Sequence, residues 1–203
     1  MNVTTVALAL LTLAAAGCAS AVNPTRYYVL APAKAPAVAR PADTGQRDLR
    51  VGIRSVELPR HIERPQIVTR ARGNRLEVSD FQQWGAPLRH AVPGVLAENI
   101  AHLVPTDQVA VFPWGRGFVP DAQVIVELSQ FEGTLGGEAV LAARWRVLGR
   151  TGDQTVTGIT RLSEAAGADY DSLVAAQSRL IGGLSRDIAD ALRRDVSAST
   201  RKP

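Results

Sequence analysis

The sequence is poor in residues that carry out chemistry. It holds one cysteine, Cys18, and three histidines, His61, His90 and His102. A lone cysteine gives no intrachain disulfide and no thiolate metal site, and no histidine has a second ligand at metal spacing. His61-Ile62-Glu63 brings two polar groups together but reads as a solvated loop. His90 falls on the polar side of a helix and His102 near its end, where the helix dipole favours a positive charge. The glycine-rich stretches 133–137 and 149–152 lack a following Lys-Ser or Lys-Thr and enter no helix, so they read as hairpin turns rather than phosphate cradles. No serine sits in a Gly-x-Ser-x-Gly elbow. Asp121, Glu127, Glu132 and Glu138 lie on or beside strands, where carboxylates are ordinary surface groups. No cofactor, no metal and no enzymatic activity are expected.

Long apolar runs are also missing, except at the start. Residues 8–18 end in Ala-Gly-Cys and are too short to span a bilayer, which takes roughly 20 apolar residues as a helix. The run has the length of a signal-peptide hydrophobic region. Residues 1–17 contain no Lys or Arg, so their only positive charge is the terminal amine. Ala16-Gly17-Cys18 resembles the lipobox of bacterial lipoproteins, with Ala15 where leucine is usual. That resemblance implies cleavage before Cys18, a diacylglycerol on its thiol and an acyl chain such as palmitate on its new amino group. An ordinary secretory peptide with an incidental cysteine is the alternative. Several acyl chains hold far more firmly than one, at about 0.8 kcal/mol per buried methylene. Ala19 rather than Asp follows Cys18, which by resemblance to enterobacterial sorting points to the periplasmic face of the outer membrane.

What is present is enough for one core. The chain has 203 residues, 46% of them hydrophobic, and a net charge of +4. The mature chain of roughly 185 residues suggests a single domain. Arginines recur from Arg50 to Arg75 without clustering. They read as solvated strand faces, or as contacts to anionic headgroups or an acidic partner. An exported chain meets no nucleic acid.

Periodicity sets the elements. Tyr27-Tyr28-Val29-Leu30 is a short β-prone run, either a first strand or rings at a lipid interface; the strand is preferred. Residues 31–48, rich in Pro and Ala, read as a spacer. Leu49, Val51 and Ile53 alternate with Arg50 and Arg54 as in a half-buried strand. Strands over 66–70 and 75–79 flank Gly73-Asn74, a hairpin pair, with Ile67, Leu76 and Val78 as apolar contacts. Residues 86–104 take helical period, with Pro87 in the first turn. Pro93 either kinks that helix or begins it. A strand over 109–112 and a loop over 113–120 follow. Strand, helix, strand implies one parallel pairing. Strands over 122–132, 138–148 and 155–162 form an antiparallel meander. A last helix spans 169–195, with Asp169 or Asp171 as its cap and Gly182-Gly183 as a site of close packing or a bend. The fold class is therefore α/β: a single domain with a mixed β-sheet, an antiparallel meander and two main helices packed on it. The boundaries are a signal peptide over 1–17, anchor, short strand and spacer over 18–48, the α/β domain over 49–196 and a disordered tail over 197–203.

These pieces resemble the ABC-type transport auxiliary lipoproteins, of the paraquat-inducible protein C kind. The residues that carry the resemblance are Tyr27-Tyr28-Val29-Leu30, Arg64-Pro65-Gln66-Ile67-Val68-Thr69-Arg70, Trp84-Gly85-Ala86-Pro87-Leu88, Phe131-Glu132-Gly133, Leu141-Ala142-Ala143-Arg144-Trp145 and Tyr170-Asp171-Ser172-Leu173-Val174-Ala175-Ala176. Pro93-Gly94 and the lipobox depart from the pattern. The resemblance implies a mixed α/β sheet and a non-catalytic role in intermembrane lipid transport, beside a mammalian-cell-entry (MCE) domain protein and its membrane components. By analogy alone, a homo-oligomeric ring would match a ring-shaped partner. The competing reading is a stand-alone envelope protein that binds a lipid or small amphiphile in its own pocket. Arg64, Pro65, Gln66 and Ile67 are the candidate partner edge, since proline is tolerated where a strand edge stays open; a plain turn is the alternative.

Overall fold

The computed structural model describes residues 23–33, 49–104, 106–150 and 155–199. Residues 1–22, with Cys18 and the expected leader, and 34–48, with most of the expected spacer, lie outside them. The described residues form an eight-stranded mixed sheet with two helices. In chain order the elements are β1 (Arg26–Tyr28), β2 (Val51–Glu57), a 3-10 turn (Arg60–Ile62), β3 (Gln66–Arg70), β4 (Leu76–Trp84), α1 (Leu88–Leu103), β5 (Val109–Val111), β6 (Ala122–Gly133), β7 (Glu138–Gly149), β8 (Thr155–Ala165) and α2 (Tyr170–Ser199).

The meander β6–β7–β8 forms as the alternation requires. Val124, Val126 and Leu128 of β6 face the same way as Ala139, Leu141, Ala143, Trp145 and Val147 of β7, and all are buried. Arg144 and Arg146 point to the opposite, uncovered face. Across β8, Gly158 stands opposite Trp145. A Cβ built on Gly158 would lie 2.1 Å from the indole ring, so the ring occupies the space a side chain would take. The indole Nε1 donates to Thr160 Oγ1 (3.0 Å), whose hydroxyl donates to Asp187 Oδ2 of α2 (2.6 Å).

α2 packs on β6, β7 and β8 and against α1. Its start is capped by Asp169, whose Oδ1 accepts from the Ser172 amide at 2.7 Å. That backbone bond, with the Ser172 side chain, holds the Asp169 carboxyl below the usual carboxylate range. The buried surface is wider than a single stripe: Ala176, Ser178, Ser185, Ala189 and Ala191 are buried beside the apolar positions. The helix is covered on several sides. Close packing is what the glycine pair serves: a Cβ on Gly183 would meet Leu162 of β8 at 2.4 Å, and one on Gly182 would meet Ala33 at 3.0 Å. The helix also runs to Ser199, past its expected end and into the tail assigned to 197–203.

The other strands depart from the expectation of one parallel pairing. Four pairings are parallel: β1 with β4, β2 with β5, β2 with β6, and β3 with β6. β2 lies along the first half of β6, and β3 meets β6 only at Thr69 and Gly133. α1 starts at Leu88 and carries Pro93 inside it, so the helix does not begin there. Pro93 is buried, and the missing N–H leaves the Arg89 carbonyl without its usual intrahelical donor. The last turn is held to α2 by Arg193, which donates to the Leu103 carbonyl at 2.8 Å. The β3–β4 hairpin turns at Gly73, with φ of 71°. β4 continues to Trp84, and Val78 is 44% exposed rather than part of the core. No described helix is long and apolar enough to cross a membrane.

Candidate functional site

Residues 23–33 are joined to the body rather than set apart from it by a spacer. β1 pairs with β4 from Arg26–Gln82 to Tyr28–Trp84. Alternation turns Tyr28 inward, where its hydroxyl donates to Gln82 Oε1 at 2.6 Å and its ring lies 6.2 Å from that of Tyr170. Tyr27 and Val29 turn outward and are 68% and 69% exposed. The chain then runs between the helices as a strap. Ala31 N donates to Ser178 Oγ (3.1 Å) and Ala33 N to Asn99 Oδ1 (2.8 Å), while Asn99 Nδ2 donates to Ser185 Oγ (3.1 Å). Both serine hydroxyls spend their own proton on the carbonyl four residues back, at 2.8 and 2.7 Å. Pro32 brings no donor of its own, and small side chains let the strap lie close to Gly182. The strap and α2 border a groove of about 820 Å³ that includes Tyr27, Val29, Asp171, Arg179 and Arg186. Because both Ala33 and Leu49 belong to the body, residues 34–48 link two parts of one unit.

The candidate partner residues are split by the fold. Arg64 and Pro65 sit in the bend before β3, where the Pro65 carbonyl accepts from Trp84 N at 2.7 Å. They line a groove of about 200 Å³ with Trp84, Gly85, Pro87 and Arg89. Gln66 pairs with Gln83 of β4, so that side of the strand is not open. Ile67 is 0% exposed and supplies core, not contact surface, because it points to the sheet's buried side.

A constellation that the sequence reading passed over lies on the other face of the sheet. Glu132 is 1% exposed. It forms an ion pair with Arg70 through Oε1, and its Oε2 accepts from the Phe131 amide at 3.0 Å and lies 3.5 Å from His61 Nε2. The β6 bulge between Leu128 and Gln130 sets the phase that turns Glu132 outward, and the 3-10 turn carrying His61 covers it. An acid at the end of a strand otherwise ending Phe-Glu-Gly is the signal that could have found it. A buried carboxylate beside a guanidinium neutralises charge and ties β3 to β6; no nucleophile stands with it. Among the described residues no group of three or more His, Cys, Asp or Glu could hold a metal.

Two further surfaces are open. The outer face of the meander carries Arg144, Arg146 and Ile159 around a groove of about 620 Å³. The loop after β5 gathers Phe112, Trp114 and Phe118, with ring centroids 5.2 and 6.1 Å apart.

Solved structures share this fold. A crystal structure of protein XCC0632 from Xanthomonas campestris superposes with a TM-score of 0.71 at 13% identity, covering 88% of this chain and 100% of that one. Another crystal structure, of an uncharacterized protein, gives 0.67 at 17% identity over 83% and 99% of the two chains. A PelC dodecamer from Paraburkholderia phytofirmans aligns more loosely, at 0.44 and 12% identity over 73% and 93%. No curated protein sequence matches. The sequence itself matches a family model over residues 28–189, from the inward-facing tyrosine of β1 to the buried side of α2. A match that takes in strap, sheet and both helices places the chain in the family of ABC-type transport auxiliary lipoprotein components.

Proposed function

We propose that the protein is a non-catalytic lipoprotein on the periplasmic face of the outer membrane, acylated at Cys18, that serves as the adaptor of an intermembrane lipid transport system with an MCE-domain protein. The observation that carries this reading is the family match over residues 28–189, which takes in most of the described body. A transport bridge rooted in the inner membrane needs a docking point across the periplasm, and an anchored rigid sheet provides one without turnover.

The test is co-purification. Detergent-solubilised envelopes should yield the protein crosslinked to an MCE-domain protein, and recovery of free monomer alone would count against the adaptor role. Cys18→Ser should leave a folded domain that no longer fractionates with membranes; its retention there would remove the anchor.

A further inference from the structure

We propose that the surface around β1, formed by Arg26, Tyr27, Val29 and Arg186, rests on the phospholipid headgroup layer of the membrane that holds Cys18. The inference depends on the reading of Cys18 as the acylated residue, and it goes further by assigning the face that meets the lipid.

Chain length carries the first step. Only five residue steps separate Cys18 from Asn23, where the described body begins. Fully extended they span at most about 18 Å. A single domain of this size is roughly 40 Å across, so the tether is shorter than the body. The chain is first held at Arg26, eight steps and at most about 29 Å from Cys18, still less than the width of the body, and the strap is clamped at Ala31 and Ala33. The residues that read as a spacer fall after this point and cannot lengthen the tether. The surface beside β1 is therefore held near the bilayer. β5 and its aromatic loop lie at the other end of α1, whose 16 residues extend about 24 Å.

The chemistry of that surface fits the second step. β1 is an edge strand, and the outward side chains of Tyr27 on it and Val29 just after it are two-thirds exposed. An amphipathic ring beside an aliphatic side chain suits the boundary between water and lipid. Arg26 and Arg186 are exposed and make no ion pair among the described residues, while Arg179 is tied to Glu164 at 2.9 Å. Glu164 and Asp171 are the two acids that line the same groove. Two free guanidinium groups beside an anchor attract anionic headgroups, each worth about fivefold in partitioning at an anionic surface.

The experiment uses the full acylated chain in vesicles containing phosphatidylglycerol. Cys18 is blocked by its lipid, so a cysteine introduced by Val29→Cys, Val119→Cys or Ile159→Cys is the one free thiol and takes a fluorescent label. A label at 29 should be severalfold less quenched by aqueous iodide than labels at 119 and 159, and it alone should be quenched by a headgroup-borne quencher. Equal accessibility at all three positions, or protection at 29 that appears only when envelope proteins are added, would overturn the proposal; the latter would mark a protein-binding surface. Arg26→Glu with Arg186→Glu should reduce the protection, and protection unchanged by both reversals would overturn the headgroup contact. Flotation with the vesicles and the mass of the amino-terminal peptide report acylation independently, so a chain that fails to float speaks against the anchor and not against the face.

Discussion

The meander with α2 and the parallel block of β1 to β5 are held together in different ways. In the meander each strand pairs with the next in the chain, and β7 pairs along its length on both edges. α2 approaches because Gly183 has no side chain, and Trp145 fills the space above Gly158. In the parallel block every neighbour is remote except across the β3–β4 hairpin. Tyr28 reaches Gln82, 54 positions on, and Arg50 reaches Asp121, 71 positions on. Short turns cannot make such connections, and polar clamps fix them. Arg50 N donates to Asp121 Oδ2 at 3.0 Å, Thr106 Oγ1 to the Leu49 carbonyl at 2.7 Å, and Asn99 holds the strap. The lesson is that one half rests on apolar fit and the other on a few buried polar groups. A methyl group too many should hurt the first, and a lost partner the second.

The largest expected effect breaks the parallel block at Arg70. Arg70→Ala leaves the Glu132 carboxylate buried without its guanidinium partner, which should cost about 3 kcal/mol in urea unfolding. Glu132→Gln should cost less, because the Arg70 side chain is 37% exposed and its charge can turn to water. If the two variants unfold at the same midpoint, the burial asymmetry has no energetic content. Next comes the meander. Gly158→Ala forces a methyl into the Trp145 ring and should cost about 2 kcal/mol. A shift in tryptophan emission should accompany the loss, as the indole leaves Thr160. Unchanged stability and emission would mean that the ring moves aside freely.

The same contrast explains what the sequence could and could not convey. The meander was legible because alternation is a local signal: Val124, Val126 and Leu128 announce their face without reference to any other strand. The parallel pairings were not, since no turn between β1 and β4 or β2 and β6 records that they meet. Ala31-Pro32-Ala33 reads as spacer because it has no period; its partners, Asn99 and Ser178, lie on two helices far along the chain. Glu132 looked like an ordinary strand carboxylate because the bulge before it and the cover from the His61 turn are tertiary features. Of the candidate partner residues, Ile67 carries its own counter-signal, an apolar β-branched side chain followed by another, Val68. The Gly182-Gly183 pair was legible as close packing, though not that it serves two different neighbours.

A smaller effect separates the two regions in time. Asn99→Ala removes the acceptor for the Ala33 amide and the donor to Ser185, and should cost about 1–2 kcal/mol. Hydrogen exchange gives the sharper reading. The Ala33 amide and those of β1 should exchange faster, while β6 and β7 amides keep their protection, because local openings follow cooperative units. Equal acceleration in β7 would show that strap and meander open together, and the contrast between the halves would fail.

The smallest effect lies at the start of α2. Asp169→Ala removes the cap on the Ser172 amide and should lower the thermal midpoint slightly, the site being exposed to solvent and salt. Its pH dependence is specific. The folded carboxyl titrates below the ordinary value of 3.8, so the ionised cap is fully stabilising above 3.8 and is lost as the pH falls through the lower folded value. Wild type and variant should therefore differ by a constant amount at neutral pH and converge only in acid below 3.8. Convergence already near neutrality would mean that a different group governs the difference. No convergence in acid would mean that the aspartate acts through its shape and not its charge, which would make the start of α2 another site of fit, like the rest of the meander half.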